Sequence, residues 1–150
     1  MGDRANILVL GGSLRGERKE KVGIFLYSHW GGSDLPKVLH KALNRRQRWD
    51  DEAYLTRIIM CEVIGKEDFE GETGFGISLT ICDNEYPILV VDVASQTVGV
   101  SLRDEPFEVL YTVTFDEYCA LSEDALATFR KREPRKSNPK ASAKRAGKKA

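Results

Sequence analysis

The sequence predicts an α+β domain in which a mostly antiparallel sheet of about five to six strands is packed by two to three helices. Three observations lead to this prediction. The chain has 150 residues, 41% of them hydrophobic, which suits a single globular domain over residues 1–129. Stretches with helical apolar spacing lie between stretches with strand-like spacing. Beyond residue 129 no large apolar side chain occurs, which predicts a disordered, Lys/Arg-rich tail over residues 130–150.

Two apolar runs at the start of the chain predict a β-hairpin. Residues 7–10 end in Gly11 and Gly12, and residues 22–30 are rich in β-branched and aromatic side chains. The intervening residues 13–21 are charged, so we expect a long polar loop between the two strands.

Two helices are predicted next. Apolar residues recur at helical spacing over residues 35–43, after Ser33 or Asp34 as the cap and with Pro36 in the first turn. The second helix begins at the acidic residues 50–52, which suit the positive end of the helix dipole, and stops at Gly65.

The second half of the chain predicts strands over residues 75–82, 87–92, 97–102 and 107–114, separated by polar turns. Their order suggests an antiparallel meander. Thr114 and Glu117 have the spacing of a capping box, so a short helix follows, and a further turn can begin at Ser122.

Charge divides the chain into two parts. Residues 1–129 carry 13 basic and 22 acidic side chains, a net charge of −9, whereas residues 130–150 carry ten basic side chains and one acid. A cationic segment is attracted to phosphate polymers by counterion release, so we expect the tail to contact nucleic acid. The alternative is that it lies on its own acidic domain. The expected tail contacts are Arg130, Lys131, Arg132, Arg135, Lys136, Lys140, Lys144, Arg145, Lys148 and Lys149.

Residues 27–34 form the segment that most suggests a binding site, because a strand there ends in a glycine pair before a helix. Backbone N–H groups and the helix dipole favour an anion at such a position, and glycines let a ligand approach the backbone. We expect Trp30 to stack on a base or sugar and His29 to donate to a phosphate. The expected ligand-binding residues are Tyr27, His29, Trp30, Gly31, Gly32, Ser33 and Asp34.

Two alternatives to this binding site stay open. In one, the protein is a hydrolase or transferase for a nucleotide or phosphorylated substrate, with His29 as the acid–base group and Asp34 or Asp83 orienting it. In the other, the segment is structural: Trp30 fills the core, His29 bonds a neighbouring carbonyl and the glycines only turn the chain.

A basic linker separates the two predicted helices. It contains Arg45, Arg46 and Arg48, followed by Trp49. Such a cluster is typical of a phosphate-contacting patch with an aromatic side chain for stacking, and we expect these arginines to bind nucleic acid. The alternative is that they pair with the acids at residues 50–52.

The glycine motifs do not predict a cofactor. Residues 7–15 are similar to the Gly-Ser-x-Arg phosphate loop of flavodoxin-like flavin reductases, but too few residues follow Arg15 for the crossover helix of that fold. The glycines at positions 71, 74 and 76 lack the strand–turn–helix context of a dinucleotide-binding motif.

The acids and cysteines do not predict a metal. Asp83, Glu85 and Asp92 lie in or beside turns, where carboxylates are usually solvated, and no histidine accompanies them. The wide spacing of the three cysteines suits neither a disulfide framework nor a zinc site, and each lies in an apolar stretch typical of the core. They are Cys61, Cys82 and Cys119.

The chain starts without the apolar run of a signal peptide, and no stretch approaches the roughly 20 apolar residues that span a bilayer. We therefore expect a cytoplasmic protein without a membrane partner.

Several motifs between residues 22 and 102 resemble those of a set of small bacterial and phage proteins. They are Tyr-Ser-His-Trp-Gly-Gly-Ser-Asp-Leu-Pro (27–36), Arg-Trp-Asp-Asp (48–51), Ala-Tyr-Leu-Thr-Arg-Ile-Ile (53–59), Gly-Glu-Thr-Gly-Phe-Gly-Ile-Ser (71–78) and Asp-Asn-Glu-Tyr-Pro-Ile-Leu-Val-Val-Asp (83–92). The resemblance implies an accessory, phage-linked protein and brings no activity with it. We therefore expect a non-enzymatic binding protein. It would hold a nucleotide-like anion or a host protein at residues 27–34, contact nucleic acid with its tail, and act in host-defence interference.

Overall fold

A computed structural model describes residues 2–11, 22–66 and 70–131. Over these residues the chain forms six strands and four α-helices, which confirms the α+β prediction. The strands are β1 (Ala5–Leu10), β2 (Gly23–Ser28), β3 (Phe75–Ser78), β4 (Ile88–Asp92), β5 (Thr97–Leu102) and β6 (Glu105–Thr114). The helices are α1 (Leu35–Leu43), α2 (Glu52–Ile64), α3 (Phe115–Cys119) and α4 (Glu123–Thr128). Short 3-10 turns cover Gly32–Asp34 and Phe129–Lys131.

The strands form one sheet in the order β3-β2-β1-β4-β5-β6. Four of its five pairings are antiparallel, and β1 runs parallel to β4. The predicted hairpin of β1 and β2 is confirmed, although residues 13–21 of its loop lie outside the described residues. The predicted meander holds for β4, β5 and β6. It is wrong for β3, which pairs with β2 at the opposite side of the sheet.

A buried asparagine holds the chain that crosses from β3 to β4. The Asn6 side chain donates from Nδ2 to the Cys82 carbonyl oxygen at 3.2 Å and accepts at Oδ1 from the Cys82 N–H at 3.3 Å. Beside it, the Glu85 N–H donates to the Arg4 carbonyl at 2.9 Å, and the Arg4 N–H donates to Glu85 Oε2 at 3.1 Å. These bonds guide the crossing chain past the start of β1, so that β4 enters the sheet parallel to it.

The main core lies between one face of the sheet and the helices. Ile7, Leu26 and Leu89 on that face are fully buried together with Leu39 of α1 and Ile59 of α2. A smaller apolar cluster covers the other face, and every residue of β1 is buried because both faces are covered. The smaller cluster consists of Leu8, Leu10, Phe25, Ile88 and Val90, with Val109 packed against it.

Local sequence signals explain most helix boundaries. The Asp51 side chain accepts from the Tyr54 N–H at the start of α2, and Gly65 ends that helix with φ of 64°. Thr114 and Glu117 form the predicted capping box of α3, and α4 begins after Ser122. The prediction for α1 is wrong in detail, because neither Ser33 nor Asp34 caps that helix with its side chain.

The folded chain continues two residues beyond the predicted boundary at residue 129. Arg130 and Lys131 belong to the final 3-10 turn, and Arg130 is only 9% exposed, so regular structure reaches at least residue 131 and Arg130 lies in the fold instead of in the predicted tail. The other predicted tail contacts, from Arg132 to Lys149, lie outside the described residues. No helix in the described ranges is long and apolar enough to cross a membrane.

Candidate functional site

A cleft of about 460 Å³ opens where the end of β2, the start of β3, the start of α1 and the end of α2 come together. We call it the Trp30 cleft. Its lining is mostly apolar, with charged side chains of both signs. It includes Trp30, Asp34, Val38, Ile64, Lys66 and Phe75. A cleft of this size suits a small ligand or one ring of a larger one.

The Trp30 indole stands at this cleft with 58% of its surface exposed, so Trp30 does not fill the core. Gly74 holds it from one side, where φ is 108° and a Cβ would come within 2.6 Å of the indole carbon Cζ3. The His29 ring contacts it edge-on with centroids 4.9 Å apart. The indole is therefore an exposed aromatic surface in a fixed position.

Of the aromatic side chains that the sequence placed together at the end of β2, only Trp30 lines the Trp30 cleft, although the His29 ring contacts the indole. Tyr27 and His29 do not line the Trp30 cleft, and the Tyr27 hydroxyl lies 2.9 Å from Nδ1 of His29. Partial burial raises the pKa of Tyr27.

The residues of the enzymatic alternative are also dispersed. Asp34 lines the Trp30 cleft, whereas Asp83 pairs with Arg4 at 3.4 Å. Within the described residues, no hydrogen bond joins His29 to either aspartate. The structure does not assemble His29, Asp34 and Asp83 into one site.

Acceptors within the chain, on Asp3 and Ser28, bind the N–H groups that the sequence predicts would bind an external anion. Asp3 Oδ2 accepts from the Ser33 N–H at 3.0 Å and from the Ser33 hydroxyl at 2.6 Å, and the Asp3 carbonyl accepts from the Gly32 N–H at 2.7 Å. The Gly31 N–H donates to Ser28 Oγ at 3.1 Å. Burial by itself would raise the pKa of Asp3, but hydrogen bonds from Ser33 and Tyr86 outweigh burial and lower it.

The same carboxylate explains why Arg130 is folded into the domain. The Tyr86 hydroxyl donates to Asp3 Oδ1, and the Arg130 guanidinium lies over the Tyr86 ring at 4.2 Å. Arg130 Nη2 also donates to the Ser33 carbonyl at 3.4 Å. Burial lowers the pKa of Arg130. The described chain therefore ends next to the loop that leads from Trp30 into α1.

A second cleft, of about 440 Å³, lies beside the basic linker and the first turns of α2. We call it the arginine cleft. It is lined by Arg45, Gln47, Arg48, Tyr54, Arg57 and Ile58. The guanidinium carbon of Arg48 lies 4.8 Å from the Tyr54 ring centroid and that of Arg57 lies 5.8 Å from it. Arg45 and Arg48, which are predicted phosphate contacts, therefore share this cleft with Arg57.

The pairing of these arginines differs from residue to residue. Arg45 forms an ion pair with Glu62, and Arg48 approaches Asp51 only at 3.9 Å. Arg57 forms no ion pair with any carboxylate in the described part of the chain. The alternative of pairing with residues 50–52 therefore holds for Arg48, through Asp51, and not for Arg45, which pairs with Glu62.

Arg46 and Trp49 have structural roles that the sequence did not indicate. Arg46 bonds Asp116 at 2.8 Å and lies over the Trp49 ring at 5.1 Å. Trp49 packs edge-on against Phe115 at 5.3 Å and donates from Nε1 to the Leu43 carbonyl. The aromatic group available for stacking in this region is Tyr54, which is 49% exposed.

The sequence analysis missed Tyr54 and Arg57 as partners of the basic linker. Both residues lie on α2, outside the run of arginines that marks the linker. Their separation of three residues was the available signal, because residues i and i+3 are neighbours on a helix surface.

The acids and cysteines form no assembled site in the structure. Cys61, Cys82 and Cys119 are unpaired thiols. Across the described ranges, no group of three His, Cys, Asp or Glu side chains could hold a metal ion.

Comparison with protein-family models, with curated proteins and with solved structures gives no match to this chain. The geometry of the two clefts and the distribution of charge are therefore the observations that bear on the function of this protein.

Proposed function

We propose that this protein is a nucleic-acid-binding protein that holds phosphates in the arginine cleft and with the basic residues near the end of its chain. The observation that carries the proposal is the cleft that Arg45, Arg48 and Arg57 line together with Tyr54. The guanidinium groups of Arg48 and Arg57 lie over the exposed Tyr54 ring. Guanidinium groups bind phosphate oxygens through paired hydrogen bonds, and an aromatic ring beside them can stack on a base.

The charge balance around the arginine cleft supports this proposal. Residues 1–129 have a net charge of −9, so most of the surface repels a polyanion. Arg57 has no described ion-pair partner and Arg48 only a distant one, which leaves their donors for a ligand. The ten basic residues of 130–150, of which Arg130 is buried, would add a sequence-independent attraction.

The geometry gives less support to catalysis. His29 is bonded to Tyr27 and is not among the lining residues of either cleft. We therefore favour binding over hydrolysis or transfer. The resemblance to small phage proteins makes interference with a host nuclease or nucleotide signal the setting that we propose for such binding.

The test is a salt titration of oligonucleotide binding, followed by fluorescence anisotropy. The double variant Arg48→Ala, Arg57→Ala should bind more weakly than the unmodified protein. The slope of log K against log salt should fall by about 0.7 to 0.9 for each phosphate contact removed.

The matched control is Arg103→Ala, because Arg103 is an exposed arginine that pairs with Asp104 at 3.5 Å, outside both clefts. It should leave affinity and slope unchanged. Equal losses in the control and in the double variant would show that general positive charge, and not the arginine cleft, holds the ligand. Removing residues 132–150 separately measures the contribution of the tail.

A further inference from the structure

Helix α2 contributes side chains to both clefts. Arg57 lines the arginine cleft and Ile64 lines the Trp30 cleft. They are seven residues apart, or about two helical turns, so they lie on the same side of the helix about 10 Å from each other. Met60 lies between them on that side and, with Ile64 and Phe75, lines a smaller cleft along β3. A ligand that spans both clefts can therefore follow the helix surface.

The two clefts differ in the chemistry that they offer. The arginine cleft presents guanidinium groups, which suit phosphates. The Trp30 cleft has an apolar floor that includes Val38, Ile64 and Phe75, and its charged lining residues are one acid and one base, Asp34 and Lys66. It is therefore a poor phosphate site and a suitable place for a flat ring.

Polar groups around the Trp30 cleft match the edges of a nucleobase. The Asp34 carboxylate makes no hydrogen bond to the other described residues, and it can accept from an exocyclic amine. The Lys66 ammonium can donate to a ring nitrogen or carbonyl. The indole face of Trp30, held by Gly74 and His29, supplies a fixed stacking surface.

We propose that the Trp30 cleft receives an unpaired base of a nucleic-acid strand whose phosphates lie in the arginine cleft, so that the protein selects single strands. This inference rests on the proposed function. Charge complementarity assigns the phosphates to the arginines, and the apolar, indole-faced cleft about 10 Å along α2 takes the base. A base within a duplex is stacked and paired, so it cannot enter this cleft.

The experiment compares a single strand, its duplex and a single strand with abasic sites, each bound to the full chain. Stacking of a base on an aromatic ring contributes to binding affinity. We therefore expect Trp30→Ala to lower the affinity for the single strand by roughly five- to a hundredfold and to leave the affinity for the duplex unchanged. The abasic strand should bind the unmodified protein as weakly as the intact strand binds Trp30→Ala. The abasic comparison needs no variant, so it decides the question even if Trp30→Ala fails to fold.

A fluorescence measurement locates the base directly. The chain has two tryptophans, so Trp49→Phe leaves Trp30 as the single emitter. Single strands should quench its emission, whereas duplex and abasic strands should not.

Three results would overturn the base site while leaving the proposed function intact. The first is tight, salt-dependent binding that is indifferent to Trp30 and to abasic substitution. The second is equal affinity for duplex, and the third is equal quenching of Trp30 by the abasic strand. Absence of binding to every nucleic acid would instead remove the proposed function and the base site together.

Discussion

Replacing Asp3 with asparagine should destabilise the domain by about 2 to 4 kcal/mol. Asp3 accepts three hydrogen bonds at its carboxylate, from the Ser33 N–H, the Ser33 hydroxyl and the Tyr86 hydroxyl. Bonds to a charged group contribute about 1.5 to 3 kcal/mol each, and asparagine keeps one acceptor oxygen of the two. It also removes the negative charge near the buried guanidinium of Arg130.

The effect of Asp3→Asn should depend on pH in a defined direction. The pKa of Asp3 is lowered from its ordinary value of 3.8 in the folded chain. Its charge therefore stabilises the fold above about pH 4 and loses this contribution as pH falls through the lowered pKa. The difference in stability between the unmodified protein and Asp3→Asn should be full at pH 7 and shrink at strongly acid pH.

Urea unfolding followed by circular dichroism at several pH values measures this difference. Asp50→Asn is the matched control, because Asp50 is exposed and makes no hydrogen bond or ion pair to the described residues. It should change stability by less than about 0.5 kcal/mol. A loss in Asp3→Asn as small as in the control, or one that stays constant down to acid pH, would refute the reasoning.

The other predictions concern the backbone near the Trp30 cleft and the crossing chain. Gly74→Ala should destabilise the fold by about 1 to 3 kcal/mol, because of its positive φ and its contact with Trp30. Gly76→Ala, whose Cβ would find its nearest neighbour at 3.7 Å, should cost less, and equal losses in thermal unfolding would contradict this account. Asn6→Leu should cost about 2 to 3 kcal/mol, because it leaves the Cys82 peptide without its partner. A loss below about 0.5 kcal/mol in urea unfolding would show that Asn6 does not hold the crossing.

The elements of this fold were predictable because their signals are local. Asp51, Gly65 and Ser122 mark helix ends through bonds to residues no more than four positions away. The uninterrupted apolar run in β1 reflects a strand that is buried on both faces.

Pairing partners were not predictable in the same way. The sequence pattern of β3 is as compatible with pairing to β4 as with pairing to β2. Alternation of apolar and polar residues indicates which side chains share a face of the sheet, but it does not indicate which strand lies beside β3. The choice depends on contacts such as Asn6 with Cys82, which are 76 residues apart in the chain.

The sequence alone determined the element types, most helix caps, the segregation of charge and the basic linker. Each of these depends on neighbouring residues or on composition. The tertiary structure alone decided that Asp3 occupies the helix start offered to an anion and that Arg130 joins the fold. It also brought Arg57 and Tyr54 to the linker arginines. These contacts join distant parts of the chain, and burial strengthens polar bonds that no local pattern encodes.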